Sequence, residues 1–282
     1  MSSSSVQPIV ALLGLPVAGN PAQYMFEQAF IHHGLDWRYL SLEISPEGLA
    51  DAVRGMRAMG FRGGNCTEPH KQAIAPYLDR ITQPAELTGA VTCVYREANA
   101  LVGENTEGRG FLEALRRRTD PAGKRAVLVG AGRMARAIAV ELALAKAAQI
   151  VVVNRSEPSG RALVELLSGK LATAASLVVW DQPYQVPAET QVLVDATSPD
   201  GRDPAEPLAL DLGRLAPETI VADVTFNPPR TWLLHEASER GCPTIDGLEM
   251  FIEQAVLNFR LWTNIDPDPT VLREAVEEFL EL

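Results

Sequence analysis

Residues 125–135 read RAVLVGAGRMA, and this stretch decides the fold. Ala126 to Val129 is a continuous apolar run of strand length. Gly130-Ala131-Gly132 breaks it, and the chain passes at once into an apolar helix opening at Arg133-Met134-Ala135. A G-x-G-x-x-A turn between a strand and a helix suits a dinucleotide. The first glycine makes the tight turn, and the second lets a pyrophosphate approach the backbone. The helix N-terminus then supplies free N–H groups and a positive dipole end. Gly130, Ala131, Gly132, Arg133 and Met134 are therefore candidate cofactor contacts.

The following strand, Gln149 to Val153, ends in Asn154-Arg155-Ser156, with Arg161 shortly after. Readers of NAD usually carry an acidic residue at that tip for the ribose 2′-hydroxyl. A guanidinium and a hydroxyl suit a 2′-phosphate instead, whose oxygens accept from a fixed fork of donors. NADP(H) is favoured, with Asn154, Arg155, Ser156 and Arg161 as candidate readers; the plain alternative is an exposed turn with an incidental arginine. Val192–Val194 and Ile220–Val224 repeat the sequence of apolar strand and polar tip, which indicates a parallel sheet with its ligand-facing tips at the carboxyl ends.

Upstream, strands and helices alternate in the same way. Pro8–Leu15 and Trp37–Ile44 read as strands. Pro21–His33 reads as a helix with Met25, Phe26, Ala29 and Phe30 on one side, closed by Gly34. Pro46 opens a second helix with Leu49, Val53, Met56 and Met59 inward, ending at Gly60. Then comes GFRGGNCTEPHK at 60–71, a glycine-rich stretch holding Asn65, Thr67 and Lys71. Its bland reading is a loop with a solvated lysine at its end. Gln72–Asp79 reads as helical, Gly89–Tyr95 and Ala100–Gly103 as extended, and Thr106–Arg118 as a connecting helix. From Gly247 a helix carries Met250, Ile252, Ala255, Val256 and Phe259, followed by an acidic amphipathic helix.

With 282 residues the chain is long enough for two ordinary domains, and an apolar share of 46% is that of a globular protein. A net charge of -11 argues against nucleic acid and against an anionic membrane surface as partners. Cys66, Cys93 and Cys242 are odd in number and widely spaced, which fits neither a disulfide framework nor a metal knuckle and points to a reducing cytoplasm. The four histidines show no metal-ligand spacing, and His70 reads as solvent-facing. The opening MSSSSVQ lacks the character of a signal peptide, and no run is apolar enough to span a membrane.

Taken in order, GFRGGNCTEPHK, GAVTCV at 89–94, GENTEGRGF at 103–111, VLVGAGRMARAI at 127–138, NRS at 154–156, ATS at 196–198 and GLEMFIEQA at 247–255 resemble the shikimate/quinate dehydrogenase family over nearly the whole chain. The resemblance implies an α/β fold with an N-terminal α/β catalytic domain at 1–107 and a Rossmann-type NADP-binding domain at 108–246. A C-terminal helical segment at 247–282 would return to the first domain, with the active site in the cleft. It implies Lys71 as the catalytic lysine and Glu107 as its carboxylate partner. Asn65, Thr67, Thr92 and Gln254 would face the substrate, and Thr197, Ser198 and Gly247 the nicotinamide. The chemistry is consistent: oxidising a secondary alcohol needs a proton acceptor beside the hydroxyl while hydride leaves for the nicotinamide. The expected ligand is a small hydroxy acid, and the expected assembly a monomer or homodimer.

Four departures fall on positions that the resemblance places at the substrate. The family's S-x-S before a proline, which holds a carboxylate, is shortened here to Ala18-Gly19-Asn20-Pro21, and Asn20 and Tyr24 are the candidates for a rebuilt clamp. Thr92 takes the place of an asparagine, Glu107 that of an aspartate, and Phe226 that of a tyrosine. Sites built to bond a hydroxyl or carboxylate discriminate sharply, so these losses imply poor use of shikimate itself. The competing readings are a quinate-type dehydrogenase, a non-catalytic NADP(H)-binding sensor, and a lysine–carboxylate pair used for dehydration or isomerisation.

Overall fold

A computed structural model describes residues 6–197 and 203–282. The chain forms two units, one made of residues 1–106 and 254–282 and the other of residues 107–253.

In the first unit, six strands make one mixed sheet: β1 (Ile9–Gly14), β2 (Arg38–Glu43), β3 (Gly63–Cys66), β4 (Arg80–Ile81), β5 (Cys93–Glu97) and β6 (Ala100–Glu104), in the order β2-β1-β3-β5-β6-β4. β1 runs parallel to β2 and β3, whereas β5 is antiparallel to both of its neighbours. Helix α1 (Ala22–His32) ends as its sequence predicts. Gly34 adopts φ +65°, with Gly34 N–H donating to Ile31 O and Leu35 N–H to Phe30 O, the paired bonds of a glycine-terminated helix. α2 (Leu49–Ala58) closes in the same way at Gly60, and Arg96 adds a cation on its final carbonyls. Leu49, Val53 and Met56 are buried as expected, but Met59 is 68% exposed because the helix has already ended.

The stretch read as a glycine-rich loop contains the central strand β3. A Cβ on Gly63 would overlap the Val94 carbonyl, and one on Gly64 would overlap that of Ala11. The flanking backbones close in where no side chains stand, so the strand carries no apolar alternation for a sequence pattern to report. The expected helix at 72–79 is shorter: α3 (His70–Ala73) is followed by a single 3-10 turn at Ala75–Tyr77, where Pro76 interrupts the ladder. α4 (Gln83–Thr88) precedes β5 and occupies positions just before the expected extended piece.

α5 (Thr106–Arg116) leads to the second unit, whose principal sheet is parallel throughout. β7 (Arg125–Val129) lies centrally, followed in the chain by β8 (Gln149–Asn154), β9 (Ala174–Val179), a short β10 (Tyr184–Gln185), β11 (Val192–Asp195), β12 (Leu210–Asp211), β13 (Ile220–Asp223) and β14 (Thr244–Ile245). The order β14-β13-β11-β7-β8-β9 reverses direction between β7 and β11, which is the switch point where doubly wound sheets bind ligands; β10 and β12 pair separately. α6 (Arg133–Leu144), α7 (Glu157–Lys170) and α8 (Trp232–Glu239) supply the layers. Gly108 on α5 lies so close to the Ala137 backbone of α6 that a Cβ would overlap it.

α9 (Gly247–Thr263) opens in the second unit, and its residues from Gln254 belong to the first. There Trp262 packs edge-on to Phe26 at 4.8 Å and donates from Nε1 to Val94 O, and Phe259 meets Phe30 at 5.4 Å. α10 (Pro269–Leu280), capped by Asp268, packs on α1. No described helix is long and apolar enough to cross a membrane.

Candidate active site

Within the first unit a chain of polar groups joins four segments. The buried Tyr39 hydroxyl donates to Asn65 Oδ1 at 2.8 Å, and Asn65 Nδ2 faces Thr92 O at 3.4 Å. Thr92 Oγ1 accepts from the Thr106 backbone N–H at 2.8 Å and lies 3.2 Å from Thr106 Oγ1, which Gln254 Nε2 approaches at 3.5 Å. The fold thus brings Asn65, Thr92 and Gln254 into one network. Thr92, expected to meet the substrate, is 1% exposed with its hydroxyl committed to Thr106. It holds the turn that opens α5.

Lys71 sits half-buried on α3, where Val91 N–H donates to its carbonyl at 2.7 Å. The neighbouring His70, expected to face solvent, is completely buried, and its Nε2–H donates to Ile44 O at 2.7 Å. Its Nδ1 has no hydrogen-bond partner among the described residues. Thr67 anchors to β1 through its N–H and Leu13 O, and its methyl group fills the space that a side chain at Gly14 would need. Glu107 is the second residue of α5 and falls in the second unit.

The two residues named for a rebuilt clamp each make a contact within the first unit. Asn20 Oδ1 accepts the Ala22 N–H at 2.9 Å, an Asx turn leading into α1. Tyr24 donates to Glu278 Oε2 at 2.7 Å and lies against Phe279, both on α10, so its hydroxyl is occupied there. The Glu278 bond also pushes the Tyr24 phenol pKa upward. Sequence reasoning missed Glu43, the last residue of β2, whose Oε1 accepts from Val17 N–H at 3.2 Å. No motif marked it, because the contact arises from strand pairing. Cys93 is fully buried, and burial, with the Glu104 carboxylate second, pushes its thiol pKa well up, so it is no nucleophile.

The second unit carries features that fit a dinucleotide. Gly130 takes φ +104°, and a Cβ there would stand 2.8 Å from Ala196 O at the switch point. Gly132 is the N-cap of α6, and a Cβ there would meet nothing within 4 Å, so the backbone beside Ala131, Arg133 and Met134 is open to close approach at that position. At the β8 tip, Asn154 Nδ2 donates to Ser156 O and Ser156 Oγ lies 3.2 Å from Ser159 Oγ. Arg155 is exposed and makes no ion pair among the described residues, whereas Arg161 pairs with Glu157 one turn earlier. Past β11, Asp195 Oδ1 accepts the Thr197 N–H at 2.9 Å, and the buried Thr197 Oγ1 has no partner among the described residues. Ser198 lies outside the described residues. Gly247 is required for packing, since a Cβ would stand 2.5 Å from the Thr225 carbonyl. Phe226 stacks on Phe251 at 5.3 Å.

Residues 12–94 match the shikimate dehydrogenase substrate binding domain, 113–200 the shikimate / quinate 5-dehydrogenase domain, and 247–277 the shikimate 5'-dehydrogenase C-terminal domain. The chain belongs to the shikimate dehydrogenase family. It is similar to the shikimate dehydrogenase (NADP(+)) of Methanopyrus kandleri, with 38% identity over 96% of both chains. Among solved structures of the family it is similar to a shikimate dehydrogenase in complex with NADP+, with 31% identity, a TM-score of 0.84, and coverage of 97% of this chain and 96% of that one. Likeness is greater to the ligand-free 5-ketofructose reductase of Gluconobacter sp. strain CHM43: 41% identity and a TM-score of 0.94, covering 98% and 99%. As a shikimate dehydrogenase family member with this turn chemistry, the protein is an NADP-dependent dehydrogenase.

Proposed function

We propose that the enzyme interconverts a ketone and a secondary alcohol on a small, uncharged, polyhydroxylated substrate, a keto sugar of the class named for the Gluconobacter reductase. The observation that carries this reading is the 14–21 loop. It offers a carboxylate neither a cation nor a hydroxyl, only the neutral amide N–H of Asn20, whose Oδ1 is tied to the Ala22 N–H. A site that does not pair a carboxylate leaves an acid desolvated and unsatisfied, whereas a neutral polyol escapes that cost. The 0.94 TM-score to an enzyme named for 5-ketofructose supports the same class.

In this reading the first unit holds the substrate and the second the dinucleotide, which when bound supplies or accepts the hydride. Lys71, as its ammonium, gives a proton to the carbonyl oxygen as it becomes a hydroxyl; in the reverse direction the neutral amine takes that proton. Asn65, Thr67 and Gln254 orient the hydroxyls, and Lys71 and Glu107 keep the roles that the family resemblance gives them. The cofactor lies along Gly130–Met134, with Arg155 and Ser156 at the 2′-phosphate and Thr197 beside the carboxamide.

A second reading, turnover of shikimate itself, is favoured by the retained Asn65, Thr67, Lys71 and Gln254. NADPH oxidation with 5-ketofructose and with the ketone of shikimate separates the two. The proposal expects a higher kcat/KM for the ketose, abolished in Lys71→Ala while NADPH binding persists. Preference for the shikimate ketone would overturn the substrate class, and turnover surviving in the variant would overturn the role of Lys71.

A further inference from the structure

We propose that Glu43 is a specificity-determining residue that excludes negatively charged substrates; this deepens, and rests on, the reading of an uncharged substrate. Glu43 ends β2 in register with Gly14, which ends β1. Its Oε1 accepts the Val17 N–H at 3.2 Å, in the loop that by family resemblance would hold a substrate carboxylate. The next residue ties the same spot to the lysine helix: Ile44 N–H donates to Gly14 O at 3.0 Å, and Ile44 O accepts from His70 Nε2 at 2.7 Å, one residue before Lys71. The Thr67 methyl group occupies the place of a Gly14 side chain. Glu43 therefore stands where the loop, Thr67 and the Lys71 helix converge.

No ion pair neutralises Glu43 among the described residues, and the bond to its Oε1 comes from an uncharged N–H. Where shikimate-type sites are expected to place hydroxyls that attract a carboxylate, this chain places a carboxylate of its own. A like charge at this position opposes an acid, while its remaining oxygen accepts hydrogen bonds from the hydroxyls of a neutral sugar.

The test compares dissociation constants of shikimate and its uncharged methyl ester, with NADP+ bound, for wild type and Glu43→Gln at low and high salt. Glu43→Gln should raise the preference for shikimate over the ester about fivefold, the effect of one nearby charge in a partly solvated setting. The gain should shrink as salt rises. Glu43→Lys should raise the preference further, and it serves as the second variant if the glutamine protein is unstable. Shikimate binding no better to either variant than to wild type, relative to the ester, overturns the proposal. Whether wild type turns over 5-ketofructose is read separately, so failure of the substrate reading remains distinguishable from failure of Glu43 as its discriminator.

Discussion

Thr92→Val removes one hydroxyl and keeps the shape of the side chain. In the wild type that hydroxyl accepts the Thr106 N–H at 2.8 Å and meets Thr106 Oγ1 at 3.2 Å, and Thr92 and Thr106 are both buried. The substitution leaves a buried backbone N–H without an acceptor and creates no cavity, so the loss is the desolvation of that group, about 2 kcal/mol within a range of ~1–3. For a chain of 282 residues that corresponds to a fall in Tm of about 3–4 °C. Thr106 opens the turn that carries Glu107, so under the proposed pairing of Glu107 with Lys71 a loosened turn should also lower kcat/KM by about tenfold. Thermal denaturation and steady-state NADPH oxidation read the two effects, and Thr92→Ser, which keeps the oxygen, should restore most of both. A valine variant melting within about 1 °C of wild type would refute the network as a stabilising element.

Arg155→Ala should weaken NADPH binding by about 10- to 100-fold, the value of a charge-assisted phosphate contact, and leave NADH little changed. Arg161→Ala should have the smaller effect, since Glu157 already holds that guanidinium; fluorescence titration with both nucleotides gives the order, and equal losses for NADPH and NADH would contradict a 2′-phosphate role. Asp79 accepts from Arg57 Nη1 at 2.6 Å and from Leu101 N–H at 2.7 Å, and the Arg57 bond, followed by the Leu101 amide, holds its pKa below the ordinary carboxylate value. Its stabilisation is therefore fully present above the unfolded pKa and lost as pH falls through the lower folded one, so the Tm gap between wild type and Asp79→Asn should close on acidification. A gap independent of pH would exclude that contribution.

The sequence by itself determined what depends on local order. The G-x-G turn between β7 and α6, the arginine at the β8 tip, and the glycine stops after α1 and α2 are written in consecutive residues, because turn geometry and helix termination need particular residues at fixed offsets. The two-part α/β plan followed from the alternation of such signals, and the family from several blocks in the same order. Only the tertiary structure decided the rest. Gly63-Gly64 becomes a central strand because the backbones of Ala11 and Val94 close on it, which no pattern of side chains records. Thr92 and His70 turn inward because Thr106 and Ile44 stand across from them, and Tyr24 turns to Glu278, 254 residues away. The 14–21 loop showed in sequence only that the S-x-S expected from the family resemblance is missing there. Strand pairing between β1 and β2 brings a carboxylate to that place, and a partner fixed by register between distant segments is visible only once the sheet has formed.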